Sequence, residues 1–114
     1  MTAAPDDVGA AGAADAGPVR SELAGDAAFA PLLASYVASM PAKRAALAAA
    51  LAAPPGEVGP LRELAHQLKG SAGGYGFPGL SAAAAAVVAA CREGREPDAR
   101  RTGEELAGLL ARVA

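Results

Sequence analysis

The feature that most constrains this chain is the helical spacing of its apolar residues, which are mainly alanine and leucine. Leu61, Leu64, Ala65 and Leu68 recur at positions i, i+3, i+4 and i+7, the pattern of one face of an amphipathic helix. Aromatic residues make up only 4% of the sequence and β-branched residues are also few, although strands favour both. The sequence therefore predicts an all-α protein whose core is built largely from small side chains.

Prolines and glycines divide the apolar pattern into helical segments. Asp26 is a suitable N-cap for a helix from about residue 27, and Pro41 must kink or break that helix. We expect the first two helical segments over about 27–39 and 41–53. The next helix should start between residues 57 and 60 and end in the glycine cluster at 73–76. The last two should span about 79–93 and 97–112. Short connections favour antiparallel neighbours, which predicts an antiparallel up-down four-helix bundle with a short N-terminal lead-in.

The length of 114 residues is enough for one domain with one small core. Residues 1–18 are low-complexity Ala, Gly, Asp and Pro, which predicts a disordered tail before a helical domain at 19–114. A net charge of −2 gives no basic surface for nucleic acid, and no uncharged apolar run approaches the roughly 18 residues of a membrane helix. A single cysteine, Cys91, excludes an internal disulfide. Because the N-terminus also lacks a signal-peptide pattern, we expect a cytoplasmic protein.

The single histidine, His66, lies roughly 140° from the centre of the apolar stripe when each residue turns the helix by about 100°. Gly70 and Gly73 follow it at i+4 and i+7, on the same outward face, although each glycine costs a helix interior about 1 kcal/mol. Helical side chains lean toward the N-terminus, so a glycine at i+4 leaves the imidazole uncovered. Lys69 can swing its ammonium toward the ring. The pattern predicts an exposed imidazole that is open to a phosphoryl group carried by another protein.

Residues 66–76 read H-Q-L-K-G-S-A-G-G-Y-G. This stretch resembles the motif of histidine-containing phosphotransfer (HPt) domains of multistep two-component relays: a histidine, a variable residue, an apolar residue, Lys-Gly-Ser, small residues and a further glycine. A looser resemblance extends over about residues 19–94, and the last helix carries no recognised signature. By this resemblance His66 is the phosphoacceptor, Lys69 steadies the phosphoryl group and Gly70 gives it room.

The resemblance also implies a phosphocarrier and not an enzyme. His66 would accept a phosphoryl group from the aspartate of a response-regulator receiver domain and pass it to another receiver. A hybrid sensor histidine kinase would act upstream of this transfer. The catalytic Mg²⁺ site would belong to the receiver, and no cofactor or metal is expected on this chain. We expect a monomer in a bacterial cytoplasm, with transient partners. Arg62, Gln67 and Gly73 would surround the phosphoryl group or the partner; the alternative for Arg62 and Gln67 is ordinary polar surface.

Other functions have less support in the sequence. Metal binding would need a second histidine, or carboxylates spaced as ligands with His66, and the sequence has neither. Cys91 falls on an apolar stripe, which predicts a buried thiol and not a nucleophile. Gly73 and Gly74 lack the preceding strand and the Walker pattern of a phosphate-binding loop.

Three other functions compete with phosphotransfer. A non-transferring HPt-like adaptor and a plain helical interaction module that binds a signalling partner stay open as alternatives. A kinase dimerisation helix pair is disfavoured, because such pairs usually carry an acidic residue directly after the histidine, where this chain has Gln67.

Overall fold

The computed structural model describes residues 17–114, which fold into five helices. They are α1 (Ala30–Ala38), α2 (Met40–Leu51), α3 (Gly59–Gly74), α4 (Pro78–Arg92) and α5 (Glu96–Ala111). The predicted all-α class is confirmed, and extended pairing within this range is limited to an isolated bridge between Val19 and Val113. No helix here has both the length and the apolar content to cross a membrane. Of the tail expected at 1–18, residues 1–16 lie outside the described part of the chain.

The first bundle helix is broken near Pro41, where the sequence predicts a break. Ser39 forms a turn between α1 and α2, and its N–H reaches the carbonyls of Ser35 and Tyr36 at 3.2 and 3.0 Å. The next helix starts at Met40 and holds Pro41 in its first turn. At that position a backbone N–H would have no partner within the helix, so proline is tolerated.

The start of α1 differs from the sequence prediction. The Asp26 carboxylate caps a turn by accepting a hydrogen bond from the Ala28 N–H at 3.0 Å, but the helix begins at Ala30 and not at residue 27. Pro31 explains the difference. It has no N–H to donate to the carbonyl of Ala27, so the i to i−4 hydrogen-bond ladder cannot begin that early.

The core lies between α2, α3, α4 and α5, which pack in that cyclic order, with α5 closing the ring against α2. Buried alanines let neighbouring helices approach closely, and a few larger side chains fill the space between them. The largest fully buried side chains are Leu47, Leu61, Phe77, Leu80, Val87, Leu106 and Leu110. A helical bundle is therefore the observed architecture, and the antiparallel up-down order of the whole bundle stays a prediction.

An N-terminal strap, residues 19–22, ties together the ends of two helices. The carbonyl of Val19 accepts a hydrogen bond from the Ala114 N–H at 3.0 Å, just beyond α5. The Glu22 N–H donates to the carbonyl of Gly76 at 2.7 Å, just beyond α3. The sequence predicts only a lead-in turn here, because pairing between residues so far apart leaves no local pattern.

A polar clamp from α5 holds the connection between α2 and α3. The Arg100 guanidinium donates to the carbonyls of Leu51 and Pro54 at 2.9 and 3.0 Å and pairs with Glu96 at 3.0 Å. The Glu96 carboxylate also accepts a hydrogen bond from the Gly56 N–H at 2.9 Å. The last carbonyls of a helix have no partner within it, so this clamp satisfies one at the end of α2.

Gly76 is expected to be sensitive to substitution, because its φ is +84° and an added Cβ would lie 2.5 Å from the Ser21 hydroxyl oxygen. Gly76→Ala should lower the free energy of unfolding by about 2 kcal/mol, measured by urea denaturation. The matched control is Gly108→Ala in α5, where an added Cβ meets no atom within 4 Å. That variant should gain up to about 1 kcal/mol. Equal effects of the two variants would contradict the prediction.

The clamp is expected to weaken in acid. The Gly56 N–H, and then Arg100, hold the pKa of Glu96 below its usual range. A carboxylate whose pKa is lowered on folding stabilises the protein above its unfolded pKa, about 4.3 for glutamate, and this contribution is lost as pH falls through the folded value. Glu96→Gln should therefore reduce the free energy of unfolding at neutral pH, and its difference from wild type should shrink in acid.

Urea denaturation at a series of pH values measures this difference. Glu104→Gln is the control, because Glu104 is an exposed carboxylate of the same helix that joins no ion pair among the residues described. A Glu96→Gln effect that does not change with pH would show that the ionised carboxylate is not the source of the stability.

Candidate functional site

The outward face of α3 carries the histidine. His66 is exposed, as are its neighbours Gln67, Lys69 and Gly70. The opposite face of the helix supplies core residues, which are Leu61, Ala65, Leu68 and Ala72. The amphipathic division of α3 thus presents the imidazole to solvent while the helix stays anchored by its other face.

Gly70 and Gly73 differ in their surroundings. A Cβ added at Gly70 would meet no atom within 4 Å, so the surface one turn after His66 is open. A Cβ added at Gly73 would lie 3.6 Å from the hydroxyl oxygen of Ser81 in α4, which is an ordinary contact distance. Gly73 is therefore exposed but lies beside the neighbouring helix, and Gly70 is the glycine that leaves open space near the imidazole.

A depression of about 170 Å³ lies beside the imidazole, between α3 and α4. Its lining is Arg62, Glu63, His66, Val88 and Arg92. The sequence singles out Arg62, and the structure places it with His66; Gln67, Lys69 and Gly73 are not part of this lining. Sequence reasoning missed the two α4 residues, because local spacing does not reveal which side of α4 faces the histidine.

A model of the Hpt domain family matches residues 31–114. The chain belongs to the Hpt domain family. The match starts in the first turn of α1 and includes α5, whereas the resemblance in the sequence runs over about 19–94 and finds no signature in the last helix. Searches of curated proteins and of solved structures gave no significant match.

In this Hpt domain the serine of the Lys-Gly-Ser motif connects α3 to α1. The Ser71 and Tyr36 hydroxyl oxygens lie 2.8 Å apart. The Tyr36 ring stacks on Tyr75 with centroids 4.1 Å apart, and the Lys43 ammonium lies 5.1 Å from the Tyr36 ring centroid. Burial raises the pKa of Tyr36, so its hydroxyl stays protonated and able to donate. Sequence reasoning missed this pair, whose members are 35 residues apart.

Cys91 of the Hpt domain is partly buried, where the sequence predicts a buried thiol. It lies one residue before the end of α4. Burial raises the pKa of the thiol, against the opposing effect of Arg62 and Arg100. The protonated thiol is a poor nucleophile. Across residues 17–114 no group of three or more His, Cys, Asp or Glu side chains is placed to hold a metal ion.

The Ser71 and Tyr36 pair is expected to stabilise the junction of α1 and α3. Ser71→Ala leaves the buried Tyr36 hydroxyl without this partner and should lower the free energy of unfolding by about 1 kcal/mol, measured by urea denaturation. In a Tyr36→Phe background the same substitution should cost clearly less, because no hydroxyl is then stranded. Equal costs in both backgrounds would mean that the two hydroxyls do not interact.

Proposed function

We propose that this Hpt domain carries a phosphoryl group on His66 between receiver domains of a two-component phosphorelay. The observation that supports this most directly is the exposed His66 next to the open surface at Gly70, within an Hpt motif. The family is one of phosphotransfer domains, and the specific relay role is our inference for this chain. The domain acts as a phosphocarrier in the cytoplasm, as a monomer, with receiver domains and a hybrid sensor histidine kinase as its partners.

The transfer step is a nucleophilic displacement at phosphorus. In this step the unprotonated nitrogen of the His66 imidazole donates its lone pair to the phosphorus of an aspartyl phosphate on the receiver. The N–P bond forms as the P–O bond to the aspartate breaks, and the electron pair of that bond leaves with the carboxylate. The other ring nitrogen can then release its proton to solvent. Reversal of these steps on a second receiver passes the phosphoryl group onward.

The residues around His66 have distinct roles in this proposal. Gly70 leaves space for the phosphoryl group and for the receiver's active site, since nothing lies within 4 Å of where its Cβ would be. Lys69 is exposed three residues after His66 and offsets the phosphoryl charge with the modest strength of a solvated ion pair. Arg62 lines the depression beside the imidazole. In this proposal Gln67 and Gly73, which are exposed on the same helix, form part of the surface that meets the partner.

The docking surface in this proposal includes an apolar groove of about 540 Å³ between α2 and α3. Its lining is Ala46, Ala49, Ala50, Ala53, Pro60, Glu63 and Leu64. Alanines allow a helix of the receiver to approach closely. Glu63 also lines the depression at His66, so the groove adjoins the surface next to the imidazole.

The test is transfer of label from a phosphorylated receiver domain to the full chain, with His66→Gln in parallel. We expect acid-labile, alkali-stable label on wild type and none on the variant. Binding without label from several receivers would overturn phosphotransfer in favour of the adaptor function. If wild type neither accepted label nor bound a receiver, the plain helical module would be the remaining function. Label on His66→Gln would place the phosphoryl acceptor at another residue.

The open surface at Gly70 predicts a steric effect on transfer. Gly70→Leu fills the space next to the imidazole and should block label transfer while the helical circular dichroism spectrum is retained. Gly108→Leu is the matched control, because Gly108 is also an exposed helical glycine with no atom within 4 Å of an added Cβ. If Gly70→Leu transferred at the wild-type rate, open space at this position would have no role.

Loss of the Lys69 charge should slow transfer without abolishing it. An exposed ion pair contributes up to about 1 kcal/mol, so Lys69→Ala should lower the rate constant about two- to fivefold in a rapid-quench assay. Arg44→Ala removes a charge from an exposed position in α2 and should leave the rate unchanged. A loss of a hundredfold or more would instead assign Lys69 a direct role in the displacement.

A further inference from the structure

A cleft of about 350 Å³ lies where the N-terminal strap meets the start of α4 and the end of α5. Its volume is within the range of about 300–1,000 Å³ that is typical of small-molecule pockets. The cleft shares no lining residue with the depression at His66 or with the groove between α2 and α3. It is therefore a separate candidate for ligand binding.

Part of the cleft lining is apolar and belongs to the core. Phe77 and Leu80 line the cleft, and each has only 1% of its surface exposed. Pro18 and the half-buried Leu109 add further apolar surface. A ligand in the cleft would therefore bury an apolar body against the core of the bundle.

Two arginines, Arg20 and Arg112, bring positive charge to the same cleft. Neither forms an ion pair within 4.0 Å in the part of the chain that the structure describes. The Nε atom of Arg112 is buried and has no hydrogen-bond partner among residues 17–114. A buried donor without a partner costs free energy, so buried polar atoms are normally paired. The Arg112 guanidinium therefore lacks an acceptor, which a carboxylate in the cleft would supply.

The start of α4 adds hydrogen-bond donors to the cleft. Gly79 and Leu80 lie in its first turn and line the cleft, and no side chain caps this helix. The next N–H along the chain, that of Ser81, donates to the Phe77 carbonyl at 3.0 Å. The N–H groups of Gly79 and Leu80 have no partner within the helix, and together with the helix dipole they favour an anion. The first turn of α4 carries no acidic side chain.

We propose that this cleft binds a small organic anion, a carboxylate attached to an apolar body. In the bound state the carboxylate accepts hydrogen bonds from the Arg112 guanidinium and from the N–H groups at the start of α4. The apolar body packs on Phe77 and Leu80. Rotation of the guanidinium toward the cleft gives Nε the acceptor that it lacks. The inference concerns binding alone, without a covalent step, and does not depend on phosphotransfer at His66.

Glu22 limits the charge of the ligand. Its exposed carboxylate also lines the cleft and repels an anion. A carboxylate carries one negative charge, whereas a phosphate monoester carries about 1.5 to 2 at pH 7. Burial against an apolar lining also costs less for the ligand with less charge. The cleft is therefore better suited to an organic acid than to a phosphate.

A structural function for Arg112 is the competing explanation. Its carbonyl accepts a hydrogen bond from the Val19 N–H at 2.7 Å, so the backbone of this residue helps to hold the strap. Arg112→Gln keeps that backbone bond and removes the guanidinium. If the guanidinium served stability alone, this substitution would change the thermal stability and leave the affinity for a carboxylate unchanged.

The experiment is an NMR titration of the isotope-labelled full chain at constant ionic strength. The probe is benzoate. Benzamide has the same ring without the charge, acetate has the charge without the ring, and inorganic phosphate tests the other oxyanion. Benzoate should shift the amide signals of Gly79 and Leu80 saturably, with a Kd on the order of millimolar for so small a ligand. The other three probes should bind more weakly.

Three variants test the charges of the cleft, each at a temperature where circular dichroism shows it folded. Arg112→Gln should weaken benzoate binding about tenfold, because a hydrogen bond to a charged group is lost. Glu22→Gln should strengthen binding, since the repelling charge is removed. Arg44→Gln is the matched control: it removes an exposed arginine of α2 that does not line the cleft, and it should bind benzoate as wild type does.

An Arg112→Gln affinity equal to that of Arg44→Gln would overturn the inference. If Arg112→Gln does not fold, the four probes on wild type decide. Benzamide binding as tightly as benzoate would show that charge has no part, and acetate binding as tightly would show the same of the apolar body. Tighter binding of phosphate would refute the carboxylate class, and the absence of a saturable benzoate shift at Gly79 and Leu80 would refute the site.

Discussion

Close packing of α3 against α4 is the constraint on which the site depends. A Cβ added at Gly73 would lie 3.6 Å from the Ser81 hydroxyl oxygen, and this hydroxyl donates to the Lys69 carbonyl at 2.7 Å. The Ser81 hydrogen bond thus ties the start of α4 to α3 beside residue 73. Because they stay together, α4 can bring Val88 and Arg92 to the side of an imidazole that belongs to α3. The packing of the two helices therefore determines which residues of α4 lie beside His66.

Residues 66–76 include both solvent-exposed and buried positions. His66 and Gly70 face outward, while Leu68 and Ala72 are buried and Ser71 reaches the hydroxyl of Tyr36. The motif can thus be recognised by its pattern, yet part of that pattern maintains the fold and part maintains access to the imidazole. Substitutions within it will separate into those that change stability and those that change only the outward surface.

Helical spacing and the positions of proline and glycine were enough to predict the all-α class, most helix ends and an outward His66, because each of these is set by residues close in sequence. The start of α1 was missed because Pro31 removes a donor from the first turn. The strap at Val19, the partner of Ser71 and the position of Arg92 were missed for another reason. Each is a contact between segments that are distant in sequence. The periodicity of one helix shows which of its faces is apolar, but not how that helix is rotated relative to its neighbour.

The N-terminal strap has a topological consequence. Val19 pairs with the backbone on either side of Val113, in a parallel bridge, so the chain enters and leaves the bundle through a single corner of its surface. Each terminal segment supplies a backbone partner to the other, so fraying of either one breaks hydrogen bonds of both. Local opening at this corner therefore involves the start and the end of the described chain together.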